Sequence, residues 1–371
     1  MKQRSCKLSR SDESHRGHHL KGRICITSRR FNPAHVQHLI AYAKLVQELG
    51  NEPYFLLDPS YSKFPELADL AQVFDLDSNL SSLGFTHALI YNASTANRMI
   101  AAALKQNRTK ILYVLHEPRH PILSFLWAEG PEIGIKGLVA HRYSVPVIKI
   151  ADVVLLASRF GLKVYNDFDR KHNASCAYFP LIYDDEARQD IDTLLPGKQY
   201  FGFMGGLCRA HGFDQFLRFM RSELQRGSDL RFLIASRHPL PTEIINDPIV
   251  KKNSDKLKLQ CGRPLSSDEM NLAYAESFCI WNIYRRSTQS GVLPKAFMFG
   301  TPVMASSSGS FPEFVKDGVN GRFAAGQDHR AIAQSLSSIR ADQRNFAFNC
   351  RKTFNEEFFY KANLSRFDSL L

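Results

Sequence analysis

Three short runs carry residue types that could do chemistry. The first is Lys110 to Pro118, KILYVLHEP, which reads as a strand delivering His116 and Glu117 at its C-terminal end. Ligands of open parallel sheets bind off such ends, so a catalytic or binding residue would sit at His116, with Arg119 and His120 adding positive charge beside it, although a solvent-facing His-Glu pair is the commoner meaning of such a strand end. The second run follows the strand Tyr200 to Met204: Gly205-Gly206-Leu207-Cys208-Arg209-Ala210-His211-Gly212, opening a helix at Phe213. Gly205 and Gly206 permit close backbone approach to a ligand, and Arg209 and His211 supply cationic or hydrogen-bonding groups. The third is Ser287-Thr288-Gln289-Ser290-Gly291, which turns the buried strand FCIWNIY into a helix from Val292 to Phe299. The N–H groups of Ser290, Gly291 and Val292 have no acceptor inside that helix, and its dipole favours an anion there. A phosphate is the natural guest. Lys295 sits one turn further in, where a cation wants an anionic neighbour. If that neighbour is a bound phosphate, removing Lys295 should leave the stability of the free protein flat or slightly raised.

The elements that position these runs alternate. Strands are expected at Arg23 to Ser28, Pro53 to Leu57, Thr86 to Tyr91, Ala151 to Ser158, Leu230 to Ser236, Lys256 to Cys261 and Pro302 to Ser306. Helices are expected at Ala34 to Leu49, Ser94 to Gln106, Asp268 to Ala275, from Pro312, Asp328 to Arg340 and Asn345 to Leu371. Such βα alternation means an α/β fold with parallel sheets. With 371 residues the chain is too long for one core, so two domains are expected. Pro and a run of acids break the pattern between about Tyr178 and Gln199, which reads as the linker.

Hydrophobic residues make up 44% and charged residues 23%, the composition of an ordinary globular protein. The formal net charge is +12, but residues 1 to 30 hold nine Lys/Arg against Asp12 and Glu13, so over half the excess sits on a polar leader. The body lacks the basic stripe with aromatic platforms that nucleic-acid binding requires. No apolar run has the roughly 20 residues of a membrane span, and no signal-peptide core opens the chain, so a cytoplasmic location is expected. The basic leader would suit peripheral contact with anionic lipid at the inner membrane face. The seven cysteines show no C-x-x-C and no histidine partners, so no metal site is expected.

The run Ala296 to Gly321, AFMFGTPVMASSSGSFPEFVKDGVNG, resembles the A-x-A-x-G-x-P-V-x-A-(x)3-G-G-x-P-E-x-V-x-D-G-x-x-G of family 4 glycosyltransferases. The resemblance covers residues 196 to 340 well and 23 to 165 loosely. It implies two facing Rossmann-like domains, the GT-B fold. The expected division is a disordered basic tail at 1-22, an N-terminal acceptor domain at 23-177, a linker at 178-198, a nucleotide-sugar domain at 199-344 and a C-terminal helix at 345-371 returning to the first domain.

By the same resemblance the activity is transfer of a sugar, with retained configuration, from a nucleotide-diphospho-sugar to a glycan or lipid-linked saccharide, without metal or cofactor. His116 then faces the sugar, and Gly205, Gly206, Arg209 and His211 the diphosphate. Arg263, in the loop before the Ser266-capped helix, lies near the base. Ser287, Gln289, Ser290, Gly291, Val292 and Lys295 line the donor. The chain departs from the family on chemistry. The Glu-x7-Glu pair is replaced by Ser287 and Lys295, and Gly206 and His211 stand where the family has Arg and Lys. A non-catalytic nucleotide-sugar-binding or partner protein on the same scaffold is the rival reading, and an epimerase or phosphorylase a lesser one.

Overall fold

The computed structural model describes residues 22–73, 80–119, 127–128, 130–168, 174–188, 190–324 and 328–371. His120 and almost all of the basic leader lie outside the described residues. Two all-parallel sheets organise the chain, the α/β architecture expected of two Rossmann-like units.

The first sheet has the order β3-β2-β1-β4-β5-β6-β7. Its strands are β1 (Arg23–Ser28), β2 (Glu52–Leu57), β3 (Gln72–Val73), β4 (His87–Tyr91), β5 (Lys110–Leu115), β6 (Val153–Leu156) and β7 (Ser175–Tyr178). The second has the order β10-β9-β8-β11-β12-β13. It comprises β8 (Tyr200–Met204), β9 (Arg231–Ser236), β10 (Leu257–Cys261), β11 (Ser277–Asn282), β12 (Val303–Ala305) and β13 (Gly321–Phe323). Central strands covered on both faces need continuous apolar runs, and every residue of β11, SFCIWN, is buried. The edge strands β3 and β13 and the short β7 carry no such run, and the sequence pattern does not reveal them.

Caps fix the helices against these sheets. Ser94 Oγ accepts from Asn97 N (3.0 Å) to start helix Thr95–Gln106. Ser266 and Glu269 form the expected capping box on helix Ser267–Ala275. The C-terminal region, expected as one helical stretch from Asn345, is instead broken. Helix Gln343–Thr353 runs into a π-turn (Phe354–Phe358), a 3₁₀ turn (Tyr360–Asn363) and a short helix (Leu364–Asp368). The break lets the chain cross over. Tyr360 and Phe367 pack into the core of the first sheet, where Phe367 meets Tyr42 and Phe179. At the crossing, Tyr183 N donates to Phe358 O (2.9 Å) and Tyr360 N to Tyr183 O (3.0 Å). The two connections between the sheets are therefore hydrogen-bonded to each other.

Candidate functional site

The site is built where the C-terminal ends of β5 and β11 come together across the gap between the sheets. On the first wall, β5 ends at Leu115 and releases His116 and Glu117. The His116 ring stacks on His35 (5.3 Å, 8° between planes) and meets the edge of Tyr91 (4.8 Å). His116 Nε2 is enclosed and has no hydrogen-bond partner. Burial pushes the His116 imidazole down to about 4, against the opposing pull of Glu117. Two further histidines extend this surface. Burial, then His116, His38 and Arg30, bring His35 down to about 2. His38 is held at about 3, chiefly by burial, and its Nδ1 donates to the Ile182 carbonyl (3.0 Å). A carbonyl can only accept, so the neutral His38 carries its proton on Nδ1.

The second wall starts at Gly205, whose φ of +98° places it in the left-handed region where a side chain is strained. Gly206 is not sterically required, because a Cβ there would meet the His211 ring only at ordinary contact distance, 3.6 Å. His211 Nδ1 donates back to the Gly206 carbonyl (3.1 Å), and its ring stacks on Tyr284 (4.4 Å). Arg209 is exposed at the rim. The loop is shaped by a residue that sequence reasoning missed. Arg285 grips Asp214 with both ends of its guanidinium (2.6 and 2.7 Å) and donates to Arg209 O (2.5 Å).

The turn 287–291 is locked from three sides. Ser310 N donates to Ser287 O (3.0 Å), and Ser287 Oγ lies 3.2 Å from Ser310 Oγ. This approach requires glycine at 309, where φ is +71° and a Cβ would fall 2.3 Å from Ser287 O. From the first wall, Ser158 Oγ donates to Thr288 O (2.5 Å), and Thr288 Oγ1 donates to Glu117 (2.7 Å). From the linker, Tyr183 OH donates to Gly291 O (3.2 Å). Gln289 Oε1 is buried without a partner, beside a small recess lined by Ala157, Leu181, Ser290, Pro294 and Phe314. Helix Val292–Met298 follows and ends one residue before the expected Phe299.

Lys295 is neither exposed nor open to a ligand. Its ammonium is ion-paired with Glu186 of the linker, donates to Asn271 Oδ1 (3.1 Å) and lies 5.9 Å from the Tyr183 ring centroid. Burial lowers it to about 7. Arg263 stands apart from this assembly. It is exposed and paired with Glu269, the acid of its own capping box, which it holds down at about 2. The structure thus brings His116, Ser287, Gln289, Ser290, Gly291 and Val292 to one gap, with Gly205, Gly206 and His211 on the adjacent turn. Arg263 is tied elsewhere.

Among the described residues no group of three or more His, Cys, Asp or Glu could hold a metal ion, and no helix is long and apolar enough to cross a membrane. Sequence reasoning also missed His35, His38 and Glu186. The only local signal for the first two was their spacing of three across a helix start that follows β1.

Known proteins fit this architecture. Residues 198–342 match the family model of the glycosyl transferases group 1. No curated protein matches the sequence. Among solved structures, sucrose-phosphate synthase from Thermosynechococcus elongatus is similar at 14% identity and a TM-score of 0.68, over 94% of this chain and 98% of that one. Anabaena HepE in complex with UDP-glucose is similar at 15% identity and a TM-score of 0.62, over 94% of this chain and 100% of that one. A glycosyltransferase from Rickettsia africae is similar at 14% and 0.65, over 94% and 97%. At such identities these likenesses show the fold. The chain therefore has the GT-B fold, and its segment 198–342, which carries the second sheet and its glycine-rich and serine-rich turns, matches the glycosyl transferases group 1.

Proposed function

We propose that the protein is a retaining, metal-independent glycosyltransferase that moves a sugar from a nucleotide-diphospho-sugar to a glycan or lipid-linked saccharide. The observation that carries this reading is the family match over 198–342, the unit whose turns at 205–212 and 287–292 lie against the gap bordered by His116. That a similar fold, Anabaena HepE, binds UDP-glucose supports a nucleotide-sugar donor.

In this reading residues 23–177 form the acceptor side and 199–344 the donor side, with 178–198 as linker and 345–371 returning to the first unit. The diphosphate lies on the turn Gly205-Gly206, with Arg209 and His211 offsetting its charge. The N–H groups of Ser290, Gly291 and Val292 hold a phosphate or sugar oxygen, and Ser287 and Gln289 contact the sugar. Arg263 reaches the base only by leaving Glu269, and Lys295 reaches a phosphate only by leaving Glu186. Catalysis is mostly positional and electrostatic: the bond from the anomeric carbon to the leaving diphosphate oxygen breaks, that oxygen takes the acceptor hydroxyl's proton, and the acceptor oxygen bonds to the anomeric carbon on the same face. His116, neutral near pH 7, offers an unpartnered ring nitrogen to a sugar hydroxyl and adds no positive charge to the crevice. The basic leader would hold the enzyme near anionic lipid.

The pairing of Lys295 and Arg263 with carboxylates favours a second reading, a nucleotide-sugar-binding protein without turnover. A panel of nucleotide sugars separates the two. Release of nucleotide with formation of a glycoside supports the enzyme, and saturable binding without release supports the binder. Neither outcome with any donor would remove both.

A further inference from the structure

The two walls of the site are joined by a small set of polar contacts that bypass the linker. Glu117, the residue after His116, receives Arg286 Nη1 (2.9 Å) and Thr288 Oγ1 (2.7 Å) on the same carboxylate oxygen. These two donors flank Ser287, whose carbonyl is held from the other side by Ser310. A second carboxylate makes the reverse crossing. Glu313, from the second unit, accepts from Arg159 N (2.8 Å) and Phe160 N (2.6 Å), the first N–H groups of helix Arg159–Phe168 in the first unit. Ser158, at the head of that helix, accepts from Gly161 N (2.8 Å) and also donates across the gap to Thr288 O. Without the second unit that helix would lose the carboxylate cap on its first two N–H groups.

We propose that Glu117 is a positioning residue of the site: its carboxylate clasps Arg286 and Thr288 and so sets the spacing between His116 and the turn 287–290. The inference rests on the glycosyltransferase reading for its catalytic consequence, while the clasp is a property of the protein alone. The geometry gives Glu117 unusual leverage. It is covalently next to His116 and two hydrogen bonds from the donor-side turn, whereas the covalent route from 117 to 287 passes through two sheets and the linker. A displacement of roughly 1 Å between reacting groups can cost about a hundredfold in rate. Nearly half of the Glu117 side chain is exposed at the mouth of the gap (46%), so it can open to water and re-form as the units part and close. The enclosed Nε2 of His116 makes such opening necessary for a substrate to reach it.

The test compares the full chain with Glu117→Ala, Glu117→Gln, Arg286→Glu and the charge reversal Glu117→Arg/Arg286→Glu, by small-angle scattering without ligand and by donor turnover. Glu117→Ala is expected to widen the scattering profile and to lower kcat about ten- to a hundredfold, with the donor KM changed less than threefold. Glu117→Gln keeps the acceptor for Thr288 but not the charge, and should fall between. The reversal should regain at least tenfold over either single variant and restore the compact profile. Wild-type kcat in Glu117→Ala overturns the proposal, and so does a loss that the reversal does not rescue and that leaves the scattering unchanged. If no donor turns over in the wild type, the glycosyltransferase reading fails by itself. Scattering then decides the clasp: expansion in Glu117→Ala keeps it, and identical profiles remove it.

Discussion

The Lys295 ammonium lies against the Glu186 carboxylate, 109 positions away in sequence and both largely out of solvent. Glu186 is the last of three successive linker acids, each bound to a different body of the molecule. Asp184 pairs with Lys44 of helix Val36–Glu48 (2.5 Å), and Asp185 takes both ends of Arg351 on helix Gln343–Thr353 (2.9 and 2.6 Å). The linker is thus clamped where the two units and the crossover meet.

Removing Lys295 leaves Glu186 buried and unpaired, so Lys295→Ala should destabilise the free protein by about 3 kcal/mol. This reverses the flat response expected for a lysine awaiting a phosphate. Lys295→Met combined with Glu186→Gln should recover most of the loss. Thermal melts of the two singles and the double decide it, and an unshifted midpoint in Lys295→Ala would remove the ion pair from the stability of the fold.

The histidine cluster predicts acid sensitivity. His35, His38 and His116 titrate lower when folded than the usual 6.5, so the unfolded chain binds more protons between those values. Their contribution is complete above about pH 6.5 and is lost as pH falls, at most about 1.4 kcal/mol per pH unit for each histidine. The His116 share levels off near pH 4, and those of His38 and His35 continue below it. Urea titrations from pH 7.5 to 4.5 should show the decline, and His116→Asn should make it shallower. An equal slope in that variant would mean His116 is solvated.

Turnover should respond differently. Since His116 stays neutral down to about 4, the acid limb of kcat should not bend near 6.5. His116→Ala should lower kcat about a hundredfold or more with the fold retained. Unchanged kcat would take His116 out of the mechanism.

Asp185→Ala should free Arg351 from its bidentate partner while leaving its bond to the Met298 carbonyl (2.5 Å). We expect a loss of about 2 kcal/mol and faster amide exchange over 354–368 than over β8 or β11. Exchange that accelerates equally everywhere would argue against a local role for the clamp.

The fold was legible because its signals are local. The continuous apolar strands β1, β5, β8 and β11, the Ser94 and Ser266 caps and the small residues from 302 to 310 each report their own conformation. The gap residues His116 and 287–292 were legible for the same reason, as ends of such elements. Glu186, Arg285 and the clasp that Glu117 makes were not, because what makes each of them matter is a partner 71 to 171 residues away. An acid in a linker and an arginine after a strand look like ordinary solvated charges until the chain is closed. The splitting of 343–368 was hidden because its aromatic spacing suits a continuous helix, while the demand to cross between cores is tertiary.

That crossing also has a consequence for synthesis. Tyr360 and Phe367 complete the core under β1 and β4, and Lys110 Nζ and His87 Nε2 bond the oxygens of Leu370 and Leu371 (2.9 and 2.6 Å for the shorter contacts). The first unit is therefore unfinished until residues 360–371 have been made, and until then it exposes an apolar seam beside Tyr42 and Phe179 that some other surface must shield.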